Sequence, residues 1–458
     1  MNVYTFCGAV KEMRKIEMTY HEAEQYLFQI PKFKKKSTLE DTRAFYALLG
    51  CPAKDCKVIH VAGTNGKGSV CSYLMSVLTQ AGYRVGSFTS PHLVTTRERI
   101  RIGRELITEE DFVDCFEKVK NCIGGRDVDT KEQITVADRK AEVTITHPSY
   151  FEYLYFMAML YFEKQKPDFI LLETGLGGRK DATNSFPNPV LSIITKIGID
   201  HTEYLGASLE EIAGEKAGIV KKGTDLVYFA DNDIVSLVME NMAKSKETRA
   251  FPVKKTDLIS QKVHEKGIDF SYDTRYYGNS VFHLSTQALY QCENAAIAIE
   301  SIAVLQEKQL VNIRLETLQK GLLLAKWEGR MEEIAPDIYL DGAHNEDGIQ
   351  AFLETVRECP CKGRRILLFS VVADKEYEKM AEMLRGSGLF DLVVLTSLQN
   401  SRAVSAEEIA SLFGANKMVF GQSHEAYEFC LKEKEKEDQV FVAGSLYLVG
   451  QIKEYIIK

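Results

Sequence analysis

The segment GTNGKGS at residues 63–69 carries the residue types and spacing needed to hold a triphosphate. A phosphate cradle requires glycines, so that backbone N–H groups can turn inward, and a helix N-terminus to favour negative charge. It also requires a lysine that reaches the β- and γ-phosphates. Gly63, Gly66, Lys67, Gly68 and Ser69 meet these needs, with Thr64 and Asn65 at the turn. The match to the general P-loop is imperfect: Val61 stands where its first glycine would be, and Gly68 separates Lys67 from Ser69. A plain tight turn is the alternative. The flanks oppose it, because KVIHVA at 57–62 reads as a buried strand. On the other side Val70, Tyr73, Leu74, Val77, Leu78 and Ala81 form a helical stripe that Gly82 ends.

Other chemistry-bearing residues follow apolar runs. Glu173 closes FILLE, where a carboxylate opposite a phosphate loop can hold Mg²⁺ directly or through water; capping a neighbouring helix is the alternative. His201, in KIGIDHTEYLG, comes after the run VLSIIT at 190–195 and so reaches the same rim, as a ligand or as a structural hydrogen-bonder. Lys216, in IAGEKAGIVKKG, sits in a helical segment ending at Gly218 and on these residues alone reads as a solvated lysine. DGAHN at 341–345 follows the strand IYL, the place where ligands bind in open α/β sheets. Asp341 could accept from a ribose hydroxyl and His344 could donate to an anionic substrate or transferred group. An Asx-rich turn before a helix would look the same.

The elements that must position these residues form two groups. The strand–loop–helix unit opens a doubly wound sheet, to which DFILLE at 168–173 and VLSIIT add further parallel strands, with a helix at 150–164. The stretch 121–148 reads as a polar, irregular surface insertion, and 224–290 as short strands and turns with no clear order. From 338 onward strands and helices alternate through IYLDGA, EDGIQAFLETV, RILLFSV, EYEKMAEML, LVVLTS, AEEIASLF, QVFVAGS and a last helix. The chain is therefore expected to be α/β, with an extension at 1–17, an ATP-binding domain at 18–325 and a smaller, mostly parallel α/β domain at 326–458.

Bulk composition excludes several classes. A formal charge of −8 over 458 residues argues against a nucleic-acid binder. No run of 18 or more apolar residues suggests a membrane span, and MNVYTFCGAVKEMRK lacks a secretory signal, so a cytoplasmic location is expected. The ten cysteines are scattered without a CxxC, which gives neither a zinc site nor a disulfide framework.

In their order along the chain these segments resemble the folylpolyglutamate synthase and dihydrofolate synthase group of the Mur ligase superfamily. The resemblance rests on GTNGKGS, SPHL with RERIRI (90–102), LETGLGGRKDATN (172–184), IGIDHTEYLG, EKAGIVK, QCENAAIA, WEGR (327–330), DGAHN and GSLYLVG (444–450). It implies a three-layered ATPase domain of the Mur-ligase central type and a Rossmann-like C-terminal domain, with the active site between them. By the same resemblance, the loop from Thr64 to Lys67 binds ATP phosphates, Ser90 and Glu173 ligate one Mg²⁺, and His201 a second. Lys216 matches the lysine that this family carbamylates with CO₂, against the bland reading above. Asn294, Arg330 and Asp341 match ATP-contacting positions, Lys180, Asp181 and Ala182 lie on the folate side, and His344 and Ser445 fall in motifs linked to placing glutamate.

The implied reaction is ATP-dependent joining of L-glutamate to a folate, and to dihydropteroate if the enzyme is bifunctional, by a chain expected to be monomeric. The sequence departs from the family pattern at Lys180, where an apolar residue is usual, and at Glu328, where proline is common and whose presence should loosen the linker. The 121–148 insertion is also longer than expected. A Mur-type ligase with a cell-wall or peptide substrate is the alternative. A guanine-nucleotide switch is disfavoured because TKIG at 195–198 lacks the aspartate of an NKxD segment, and a non-catalytic ATP-binding module because none of the catalytic positions is degraded.

Overall fold

A computed structural model describes residues 18–30, 38–123, 131–136, 139–144, 147–264, 267–373, 376–400 and 402–457; the expected extension at 1–17 lies outside them. The strand Lys57–Ala62 occupies the middle of an eight-stranded sheet. The order is Ala250–Val253, Leu226–Phe229, Leu191–Ile194, Lys57–Ala62, Phe169–Glu173, Val85–Phe88, Ile100–Ile102 and Glu105–Leu106. The first six run parallel and the last two turn back antiparallel.

Strand alternation sends side chains to two helical layers. Ile59, Val61 and Leu171 join one core with the helices Lys67–Gln80, Tyr290–Glu307 and Leu315–Leu323. Val58, Ile170 and Leu172 join the other with Tyr20–Gln29, Leu39–Leu48, Glu109–Ile123 and Tyr150–Gln165. Each fully buried Val, Leu, Ile or Phe in these layers contributes about 1.5–3 kcal/mol. The helix Tyr290–Glu307 is buried at every position from Gln291 to Gln306, because the antiparallel strands Leu258–His264, Gly267–Thr274 and Gly278–Leu284 cover its outer face. The segment 224–290, unordered on sequence grounds, thus supplies two parallel strands, the helix Asp233–Ser245 and this cover.

The polar stretch 121–148 is not simply irregular. It contains the antiparallel hairpin Lys131–Val136 with Arg139–Thr144. Ile134 and Val136 alternate with polar neighbours, and the high charge masked that period-2 signal. Residues 124–130, 137–138 and 145–146 of this stretch lie outside the described residues.

A second sheet begins after the linker, in the order Glu332–Ala335, Ile338–Leu340, Gln439–Ala443, Arg365–Phe369, Leu392–Thr396 and Lys417–Phe420. All but its first strand are parallel, with helices on both faces.

The linker is clamped at both ends. Ser72 Oγ donates to Lys326 O (2.6 Å), and Tyr73 meets Trp327 edge-on at 4.6 Å. Lys453 Nζ donates to Glu328 (2.6 Å) and Glu332 (2.9 Å). Glu328 therefore ties the linker to the last helix, Leu446–Ile457, instead of loosening it. Leu93, from SPHL in the first lobe, packs onto the core of the second. Its carbonyl lies so close to Gly450 that a Cβ there would collide with the backbone oxygen. Gly450→Ala is expected to lower the thermal midpoint, with a destabilisation of about 1–3 kcal/mol from overpacking. An unchanged midpoint in calorimetry would show that the lobes are not held together at this point.

Candidate active site

The phosphate loop joins the central strand to the helix Lys67–Gln80. Gly66 is the helix N-cap with φ 92°, a conformation that favours glycine, and no side chain caps the first turn. The leading N–H groups of that helix therefore stay directed at an incoming anion. A Cβ on Gly66 would also collide with Asn294 Oδ1. The far side of the loop is fixed by the neighbouring strand end: Thr64 N and Asn65 N donate to Lys196 O (2.9 and 3.2 Å), and Thr195 Oγ1 donates to Asn65 O (2.7 Å). Behind it, Gln291 Nε2 donates to Ser69 Oγ (3.2 Å), and Asn294 Nδ2 donates to Gln291 Oε1 (3.0 Å).

Two lysines converge on one carbonyl. Lys67 Nζ donates to Gly63 O (3.0 Å) and Thr64 O (3.1 Å), while Lys216 Nζ donates to Gly63 O at 2.9 Å. Lys216 is only 4% exposed, so it is not the solvated lysine that its local sequence suggests. It shares the buried stripe Ile212, Ala213, Lys216, Ala217 of the helix Leu209–Ala217, a helical spacing that the sequence does contain. Burial first, and then the charge of Lys67, pull its pKa down to about 7, against the partial offset of Asp200 and Asp181.

Glu173 is almost fully buried, and Oε2 accepts from Ser90 N at 3.0 Å. Burial raises its pKa, opposed by Lys67, the Ser90 N–H, Arg330 and Arg99. Among the described residues no group of three or more His, Cys, Asp or Glu side chains is arranged to hold a metal by itself. The donor set still fits Mg²⁺, which keeps several waters and takes one or two carboxylates plus substrate phosphates. Glu173 and Ser90 line the same cavity as the phosphate loop. His201 stands at its exposed edge, with φ 53° and Nε2 3.9 Å from Asp200.

The opposite wall comes from the second lobe. Asp341 Oδ2 accepts from Tyr290 OH (2.6 Å) and Met331 N (2.9 Å), and Oδ1 from Ala343 N (2.8 Å), so this carboxylate knits linker, helix and DGAHN loop together. His344 Nδ1 donates to Gly342 O at 2.7 Å, which leaves Nε2 as the acceptor of the neutral ring. Ser445 Oγ accepts from Tyr447 N (3.1 Å). In the segment expected on the folate side, Asp181 accepts from Gly175 N, Leu176 N, Thr183 N and Thr183 Oγ1, and so shapes the 174–185 loop. Lys180 beside it is exposed.

Every residue named from the sequence lines a single cavity of about 700 Å³ between the lobes. The same cavity is lined by Arg99, Asp200 and Arg402, which were not singled out, and Asn345, equally unremarked, stands behind it and bonds to Asp200. Asp200 and Asn345 lie inside GIDH and DGAHN, one residue from positions that were named. Arg99 is the second arginine of RERI, and its guanidinium is buried against His92 Nδ1 (2.8 Å) and the Tyr150 ring. Arg402, whose Nη2 donates to Tyr447 OH at 2.7 Å, had only its place in the loop after Leu392–Thr396 to mark it.

Residues 128–302 match the Mur ligase middle domain, and residues 329–446 the glutamate ligase domain of Mur ligases. A dihydrofolate synthase/folylpolyglutamate synthase of Bacillus subtilis is 32% identical over 95% of this chain and 98% of its own. The chain belongs to the folylpolyglutamate synthase/dihydrofolate synthase family. A folylpolyglutamate synthase of Lacticaseibacillus casei is 28% identical over 96% of this chain and 99% of its own. Among solved structures, E. coli FolC in complex with DHPP and ADP superposes with a TM-score of 0.80 at 26% identity, covering 96% of this chain and 98% of that one. Mycobacterium tuberculosis folylpolyglutamate synthase complexed with ADP gives 0.84 at 25%, with the same coverage. A bifunctional folylpolyglutamate synthase/dihydrofolate synthase with Mn, AMPPNP and L-glutamate bound gives 0.78 at 25%, again covering 96% and 98%. The chain is thus an ATP-dependent ligase of the Mur type.

The depressed pKa of Lys216 sets a pH test within this family site. Above pH about 7 the folded residue is neutral, whereas the unfolded one stays protonated to about 10.4, so folding releases a proton and stability rises with pH across that window. Compared with Lys216→Met, the wild-type denaturation midpoint should gain between pH 7 and 9. A constant difference would mean that Lys216 is charged in the fold.

Proposed function

We propose that the chain activates a folate carboxyl as an acyl phosphate and couples it to L-glutamate, serving as a folylpolyglutamate synthase and, with dihydropteroate, as a dihydrofolate synthase. The observation that carries this reading is the single cavity in which the phosphate loop faces the DGAHN and Ser445 segments across the lobes. Residues 18–325 form the ATP-binding domain and 326–458 the glutamate-side domain. The protein works as a cytoplasmic monomer without nucleic acid or membrane. No helix among the described residues is long and apolar enough to cross a membrane, and none of the nine described cysteines is in a disulfide.

In the first step the folate carboxylate attacks the γ-phosphate in line, the bond from the γ-phosphorus to the β–γ bridging oxygen breaks, and the acyl phosphate and ADP result. Lys67, the leading N–H groups of its helix and Gly63 to Ser69 hold the phosphates and offset the developing charge. Asn294, Arg330 and Asp341 frame the nucleoside end, the last by fixing the linker. Mg²⁺, held by Ser90 and Glu173 and at a second position by His201 and carbamylated Lys216, would supply Lewis-acid stabilisation of phosphoryl charge. A Lys216 amine that is neutral near pH 7 is the form that reacts with CO₂.

In the second step the glutamate amine attacks the acyl carbon and phosphate leaves. His344, which lines the same cavity, takes the amine proton, and Ser445 and Arg402 offer a hydroxyl and a cation to the glutamate carboxylates. Closed lobes keep water from the mixed anhydride. Asp181 and Ala182 position the folate, and the exposed ammonium of Lys180 favours folates that already carry a glutamate tail.

The test is ADP release with ATP, Mg²⁺ and L-glutamate, offering dihydropteroate or tetrahydrofolate, with products weighed by mass spectrometry. Glutamate-dependent turnover with both substrates is expected, and turnover with neither would remove the folate assignment. Lys67→Ala should lose at least about 10³-fold of the rate; residual turnover near wild type would overturn the role of the loop. Lys180→Leu should raise KM for a diglutamyl folate several-fold more than for the monoglutamyl form.

A further inference from the structure

The lobes meet at one small polar junction that none of the roles above uses. Asn345 is the N-cap of the helix Glu346–Glu358, and its Oδ1 accepts from Gly348 N at 2.8 Å. That bond fixes which way the amide faces, because only oxygen can accept from a backbone N–H. Nδ2 is therefore presented to the other lobe, where it donates to Asn65 Oδ1 (3.2 Å) and Asp200 Oδ2 (3.1 Å). Asn65 Nδ2 returns a longer bond to Asn345 Oδ1 (3.4 Å). Asn345 is 7% exposed, so these partners replace water almost completely.

Both partners matter to the chemistry. Asn65 is the apex of the phosphate loop, with its N–H and C=O already held by Lys196 and Thr195. Asp200 precedes His201 and acts electrostatically on Lys216. Asn345 itself follows His344, the group to which the proposed mechanism gives the glutamate amine proton. One side chain thus touches the phosphate loop, the acidic rim and the glutamate-side loop together.

We propose that Asn345 is a positioning residue, whose amide couples seating of the second lobe to the geometry of the phosphate loop at Asn65 and of the rim at Asp200. When the second lobe seats, Nδ2 locks the apex of the loop and sets His344 at a fixed distance from the transferred phosphoryl group. When it lifts, Asn65 and Asp200 lose a shared donor and the loop relaxes. The proposal rests on the ligase reading for its catalytic consequence, but not for its geometry.

Capping and coupling use opposite ends of the amide, so they can be separated. Serine and aspartate cap a helix about as well as asparagine, but neither offers the Nδ2 donor. Asn345→Ser should melt with the wild type yet lose at least ten-fold in kcat with a smaller change in the KM for ATP. Asn345→Asp sets a carboxylate against Asp200 and should lose more. Asn345→Asp combined with Asp200→Asn restores a donor–acceptor pair with the polarity reversed, and should recover at least ten-fold over Asn345→Asp alone.

Hydrogen exchange of the 63–69 backbone gives a readout independent of turnover: faster in Asn345→Asp, and slowed again in the double variant. Wild-type kinetics in Asn345→Ser, or no recovery of rate and exchange protection in the double variant, would overturn the proposal. A wild-type enzyme that made no glutamylated product would overturn the ligase reading instead, with the exchange comparison still deciding the role of Asn345.

Discussion

Two lysine amines share the oxygen of Gly63, and the site is built around that crowding. In water two lysines would separate. Here Lys216 is fixed by the apolar stripe of its helix and Lys67 by the turn that starts the next, so neither can leave without unpacking a core element. The electrostatic strain is relieved partly by Lys216 giving up its proton and partly by Glu173 nearby, itself strained by burial. What remains is a pocket with unused positive potential at the mouth of a helix, which an anionic ligand would relieve. A polyphosphate fits that need better than any neutral molecule.

The second lobe completes this arrangement without contributing to the crowding. Its own buried carboxylate, Asp341, is spent on the linker through Met331 and on the helix Tyr290–Glu307 through Tyr290. Its approach to the first lobe is steered by packing of Leu93 and by the Lys453 clamp on Glu328 and Glu332. Steric seating and polar contact at DGAHN are therefore separate: one fixes where the lobe can come to rest, the other what the phosphate loop feels when it does.

Much of this was legible in the sequence. KVIHVA, FILLE and LSII are short, mostly apolar runs that close on or run directly into loop residues, and in a parallel sheet such runs place their C-terminal ends on one rim, so Glu173 and the loop were bound to meet. The second lobe could be read because its strands and helices alternate at regular spacing. Lys216 was misjudged on its local residues alone, though not by the resemblance, because a lone lysine in a helix is usually solvated; only its i, i+4 relation to Ile212 marks it as inward, and that relation gains meaning once the helix is known to abut the phosphate loop. The hairpin at 131–144 was hidden by its charge. Arg402 carried no local signal, since its place depends on how the second sheet faces the first. Glu328 was judged against an expected proline, whereas its effect comes from Lys453, 125 residues away.

The sheet order has a consequence for how the chain is made. The central strand Lys57–Ala62 bonds only to Phe169–Glu173 and Leu191–Ile194, neither adjacent to it in sequence. As the polypeptide leaves the ribosome N-terminus first, this central strand emerges more than a hundred residues before either neighbour. During that interval its edges are open to any passing β-segment, and the phosphate loop has no wall to lean on. Such a nascent chain is a natural client for chaperones that shield apolar segments, and pauses in translation between residues 62 and 194 would lengthen its exposure.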